Sequence, residues 1–172
     1  MKEKLDFVTN SSSSSFIVAW PKKVEFIDEV KDIVLFTEKA DIVYRDSINQ
    51  KPFLIKNTDS CINRISKIVR SGYFDGYFSH SEFPEYRELM NRRYQKKDIS
   101  DDEYRKKINK IFNKADKENN KRAKEIAKKF VNNNIGKYAY VYKYSDNDGR
   151  LFCELEHGNT FDYIEHLVIS HH

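Results

Sequence analysis

The stretch "KYAYVYKY", residues 137–144, alternates with a period of two, so Tyr138, Tyr140, Tyr142 and Tyr144 share one face of an extended chain. A helical period of 3.6 would scatter the same four rings around its axis, so this part of the chain has to be a strand. "SDNDG" follows as a turn. "RLFCELE" is the return strand, with Leu151, Cys153 and Leu155 on one face and Phe152, Glu154 and Glu156 on the other. After "HGNT", the segment "FDYIEHLVISHH" reads as a short helix or turn and then a last strand near residues 167–170.

The first strand is predicted over residues 16–20, stopped by Pro21. Val24, Ile27, Val30, Ile33 and Val34 recur at helical spacing and predict a helix over 22–36. "DIVYR" and "FLI" are short extended candidates at 41–45 and 53–55. Thr58 or Asp59 can cap a helix that runs to about residue 70 on the apolar face Ile62, Ile65, Ile68 and Val69, ended by Ser71-Gly72. "GYFDGYFSHSEFP" is an aromatic-rich loop, and Pro84 suits the first position of a helix running to about residue 97. Ser100 with Glu103 forms a capping box, and Asp101, Asp102 and Glu103 suit the positive end of the helix dipole. The long helix that follows carries the stripe Tyr104, Ile108, Ile111, Phe112 and Ala115, continued by Ala123, Ile126, Ala127 and Phe130. "DKENNK" between the two halves is weakly apolar and is the place for a bend; unbroken to about residue 131, the helix is about 45 Å long. The class is α+β: a mainly antiparallel sheet formed from both chain ends, with an inserted basic helical hairpin over 84–132, in one domain of 172 residues.

A hydrophobic content of 39% is enough for a core, and no run of about 20 apolar residues is present to span a bilayer. The start, "MKEKLDFVTN", lacks the apolar region of a secretory signal, and Cys61 and Cys153 lack metal-ligand spacing. A cytoplasmic protein with buried free thiols is expected. The net charge of +4 is unevenly distributed. Residues 87–129 hold 16 Lys or Arg against 8 Asp or Glu, leaving the remainder acidic, which points to a polyanionic partner for one face.

Three groups of residues carry candidate chemistry. Asn10, Ser11, Ser12, Ser13, Ser14 and Ser15 lie between Phe7-Val8 and Phe16-Ile17-Val18 and read as a tethered polar loop. Hydroxyls and consecutive backbone N–H groups can surround a phosphate, though no Gly-rich run or following Lys makes this a P-loop. The alternative is a solvated surface loop. The C-terminus holds four of the five histidines, His157, His166, His171 and His172, beside Glu154 and Glu156. His157, His171 and His172 are candidate general acids or bases, with Glu154 or Glu156 orienting them, and the same groups suit a divalent metal. The alternative is a polar strand end. The hairpin carries Arg92, Arg93, Lys96, Lys97, Arg105, Lys106, Lys107, Lys110, Lys114, Lys121 and Arg122, with Lys124, Lys128 and Lys129 beyond them. These residues read as a phosphate-backbone contact surface or as a solvated helix face. Tyr86 and Tyr94 suit stacking on bases or packing, and His80 reads as a loop histidine.

"FVTNSSSSSF" and "EHGNTF…ISHH" resemble a largely uncharacterised group of small proteins of phages, prophages and low-GC bacteria that open with F-V-[ST]-N and a serine run, some of them similar to anti-CRISPR proteins. The resemblance covers the two chain ends and carries no catalytic residues. It implies antagonism of bacterial defence. Two functions then compete: binding and cleavage of nucleic acid, guide-type RNA first, or non-enzymatic blockade of the nucleic-acid site of a defence effector complex.

Overall fold

A computed structural model describes residues 13–20, 33–36, 41–44, 48–145 and 165–171. Strand β1 (Ser13–Trp20) comes from one chain end, and β6 (Tyr138–Ser145) and β7 (His166–Ser170) come from the other. With β4 (Ile48–Leu54) and β5 (Tyr73–Phe74) they form an antiparallel sheet in the order β4-β6-β1-β7-β5. The fold is therefore α+β, with a sheet built from both chain ends and the helices between them. The two central pairings close the molecule across almost its whole length, Ile17 standing opposite both Val141 and Leu167.

Helices α1 (Asp59–Val69) and α3 (Asp101–Asn133) cover one sheet face. Alternate sheet residues Ile17, Ala19, Ala139, Val141 and Ile169 meet Ile62, Ile65, Ala123, Ala127 and Phe130 there. Thr58 caps α1 by accepting from the Cys61 amide at 3.3 Å, and Cys61 is a buried free thiol. The opposite sheet face is buried as well. It holds Phe16, Val18, Trp20, Tyr140 and Tyr142, which explains why β1 reads as a continuous apolar run after its serines. Trp20 Nε1 donates to the Tyr142 hydroxyl at 3.0 Å, and the Tyr140 and Tyr142 rings stack with centroids 6.2 Å apart. Two of the alternating tyrosines, Tyr140 and Tyr142, thus serve the core.

Burial raises the Tyr142 pKa above the ordinary phenol value, against a smaller lowering by the Trp20 hydrogen bond. A folded-state pKa above the unfolded one stabilises the fold fully below the unfolded value of about 10 and loses that contribution as pH rises beyond it. The urea midpoint is expected to hold up to about pH 9 and to fall from about pH 10 to about pH 12. Tyr142→Phe should show a shallower fall over the same interval; parallel curves for the two proteins would contradict the assignment.

Two sequence expectations need correction. Ile33–Phe36 is a strand, β2, paired antiparallel with β3 (Asp41–Tyr44), and does not end a helix over 22–36. "IVLF" is four apolar residues in succession, which favours no single side of a helix and suits a paired strand. Residues 21–32 lie outside the described residues. The first strand begins at Ser13 rather than Phe16, so the second half of the serine run is sheet and not loop. The return strand expected at 150–156 lies outside the described residues. No described helix is long and apolar enough to cross a membrane.

Candidate nucleic-acid interface

Pro84 opens α2 (Pro84–Met90), and the chain continues as a wider π-helical turn over Asn91–Lys96. Lys97 reverses direction in the left-handed conformation, φ 55°. Ser100 then caps α3, accepting from the Glu103 amide at 3.3 Å. Leu89, Ile99, Ile108 and Ile111 form the small core of this hairpin, with Phe83, Tyr86, Met90 and Tyr104 packed around it. Arg92 binds Asp98 at 3.1 Å, which raises its pKa. Lys107 binds Glu103 at 2.7 Å, which holds that carboxyl below its usual range.

Helix α3 is unbroken through "DKENNK". Its weakly apolar centre is explained by Asn119, which is buried. The Asn119 Oδ1 accepts from the Phe78 amide at 2.7 Å, and its Nδ2 donates to the Phe78 carbonyl at 2.9 Å. One side chain thereby satisfies both backbone groups of Phe78, as a strand neighbour would. The pair pins the aromatic segment 73–83 along α3. Gly76, at φ 78°, makes the turn in that segment, and its carbonyl accepts from Arg122 Nη1 at 2.8 Å. Arg122 is also tied to Glu118 at 2.9 Å and lies over the Phe78 ring, 5.0 Å from its centroid. His80 packs edge-on against Tyr86 and Phe112, each at 4.7 Å, in keeping with a loop histidine.

The basic residues divide into two groups. Arg92, Arg93, Lys107, Lys114 and Arg122 are engaged with Asp98 and Glu103, Asp101, Glu103, Glu85 and Glu118 respectively. They hold the hairpin together. Lys96, Lys97, Arg105, Lys106, Lys110 and Lys121 enter no ion pair among the described residues. The larger pattern is a column: Lys106, Lys110, Lys114, Lys117, Lys121, Lys124 and Lys128 succeed one another at intervals of three or four and are all exposed. At about 100° per residue they fall within an ~80° sector opposite the buried Ile108, Ala115 and Asn119, over a length of about 33 Å. No acidic residue between 106 and 128 falls in that sector; Glu118 and Glu125 only border it. Of the column, only Lys114 has an ion-pair partner among the described residues, Glu85 at 3.0 Å. Lys117 belongs to it as well. The alternating spacing of three and four is the signal that finds it.

At the chain ends the structure brings one residue of the serine group against one of the histidine group. Ser15 Oγ lies 2.8 Å from His171 Nε2, and the His171 amide donates to the Ser13 carbonyl at 2.9 Å. Ser13 and Ser15 sit on the helix-covered face, in line with Ile17. Gly72 makes room for this seam: a Cβ there would strike the Ser170 carbonyl and lie 2.9 Å from His171 Nδ1. The backbone groups of Ser13, Ser14 and Ser15 pair with β6 and β7, so a cradle of free amides is not available at these three residues. Ser14 and Ser15 are buried, 6% and 3% exposed. Asn10, Ser11, Ser12, Glu154, Glu156, His157 and His172 lie outside the described residues. Among the described residues no group of three or more His, Cys, Asp or Glu side chains is placed to hold a metal ion.

Comparison of the chain with protein-family models, with curated proteins and with solved structures gives no match.

Proposed function

We propose that the protein binds nucleic acid along the lysine column of α3, guide-type RNA first, and by doing so antagonises a defence system in the cytoplasm of a bacterial host. The observation that carries this reading is the column itself, about 33 Å of exposed lysine without an intervening carboxylate. Lysines are compact, hydrated point charges that match backbone phosphates without reading sequence. The competing reading, a protein that plugs the nucleic-acid channel of an effector complex, needs an acidic face to meet a basic channel. The described hairpin offers the opposite sign.

Binding without cleavage is favoured by the seam at the chain ends. Ser15 is closed off from solvent and its hydroxyl is held by His171, an arrangement that joins two strands and leaves no opening for a phosphodiester at that point.

An electrophoretic shift assay with guide-type RNA, with and without EDTA, tests both parts. The parent protein should retard the RNA and leave it intact in either condition. His171→Ala should retain the shift while losing about 1 kcal/mol of stability, the typical net worth of one hydrogen bond, or a few degrees in the melting midpoint. RNA cut by the parent and spared by His171→Ala would establish an enzyme instead.

A further inference from the structure

Beside the lysine column, α3 and the aromatic segment flank an open, shallow groove of about 590 Å³. One wall is Lys114, Lys117, Lys121 and Arg122 with Glu118, whose carboxylate is paired with Arg122; the other is Phe78 and Phe83. Both rings are half-buried, and Arg122 is held in place over Phe78 by Glu118 and the Gly76 carbonyl. We infer that this groove is a stacking subsite for an unpaired base, which makes single-stranded nucleic acid the ligand class. The inference deepens the nucleic-acid reading above and rests on it.

Three observations lead here. First, the walls combine what single-strand sites combine, cations that follow a backbone and flat surfaces on which any base can stack. The planar guanidinium of Arg122 is such a surface, as are the two phenyl rings. Second, the groove volume lies in the range that receives small ligands, which leaves room for a base. Third, the column is straight. A duplex strand winds through a full turn in about 34–36 Å, so it faces a straight column of about 33 Å over only part of that length. A flexible single strand can follow the whole column while a base turns aside into the groove. The Asn119 clamp fixes the geometry beforehand, since it locks the Phe78 backbone to the helix that carries the lysines.

Fluorescence anisotropy with three probes of equal length tests this: a single-stranded oligonucleotide, the same strand with abasic positions, and the duplex, each measured with the parent protein and with a Phe78→Leu variant. Leucine keeps an apolar side chain at the site and removes the ring, and the Phe78 backbone groups held by Asn119 are unchanged. The melting midpoint of the variant reports whether the fold is retained. The parent protein should bind the base-bearing strand roughly ten-fold tighter than the abasic strand and tighter than the duplex. Phe78→Leu should remove most of the preference over the abasic strand. Equal affinity of the parent protein for base-bearing and abasic strands would overturn the stacking subsite while leaving nucleic-acid binding intact. Failure to bind any of the probes at low salt would overturn both.

Discussion

On the proposed reading, exchanging Lys110, Lys117 and Lys121 together for glutamate should weaken nucleic-acid binding on the order of 100-fold near physiological salt and leave the fold in place. The three side chains are exposed, have no ion-pair partner among the described residues and lie opposite the buried stripe of α3, so no core contact is lost. Their replacement would remove three of the proposed phosphate contacts and put three repelling charges at the middle of the column. The same three exchanges made at Arg92, Arg93 and Lys107 would act differently. Those side chains tie Asp98, Asp101 and Glu103 to the hairpin, and their loss should lower stability before it lowers affinity. Filter binding and thermal melting, run on both triple variants, separate the two sets. Equal loss of affinity in the two sets, with stability unchanged, would mean that the charge acts by net amount and not by position.

Asn119→Ala should be the most damaging single exchange in the hairpin, lowering stability by about 2–4 kcal/mol. It removes two hydrogen bonds at once and leaves the Phe78 amide and carbonyl without the side chain that satisfies them. For a chain of this size that corresponds to a melting midpoint lower by roughly 4–16 °C. Asn119→Asp is the informative companion. A carboxylate still accepts from the Phe78 amide but cannot donate to the Phe78 carbonyl, and it places a charge at a position only 3% exposed. It should therefore be no better than alanine. A midpoint shift of less than about 2 °C in both variants, measured by circular dichroism, would show that the aromatic segment is held by something other than this clamp.

Much of this arrangement is written locally in the sequence. Period-two tyrosines mark β6, Thr58 and Ser100 mark two helix starts, and Pro84 marks a third, because these signals depend on neighbours within a few residues. The pairing of the chain ends was also legible, since a short apolar strand at each end needs a partner. What could not be read was anything set by distant contacts. Ile33–Phe36 has helical spacing with the residues before it, yet its strand pairing with Asp41–Tyr44 decides its conformation. Ser13, Ser14 and Ser15 look like loop because serine is a poor strand former, and they become strand because β6 and β7 flank them. Asn119 looked like a weak spot in an apolar stripe. Only the position of Phe78, 41 residues earlier, turns it into the residue that orients the site. The basic surface was visible as an excess of charge, but its division into braces and a column in which, among the described residues, only Lys114 is ion-paired depends on which carboxylates the fold brings near.

The central claim is that α3 presents its lysine column to a nucleic-acid backbone, and the salt dependence of binding tests it most directly. Affinity for a labelled single strand should be measured by anisotropy from about 50 to 200 mM monovalent salt. The six lysines of the column without an ion pair among the described residues are Lys106, Lys110, Lys117, Lys121, Lys124 and Lys128. If they meet phosphates, log K should fall linearly against log salt with a slope of about −4, since each single-strand phosphate contact contributes about −0.7. A slope near zero, or binding that persists unchanged through that range, would contradict a phosphate-tracking column and with it this account of the protein.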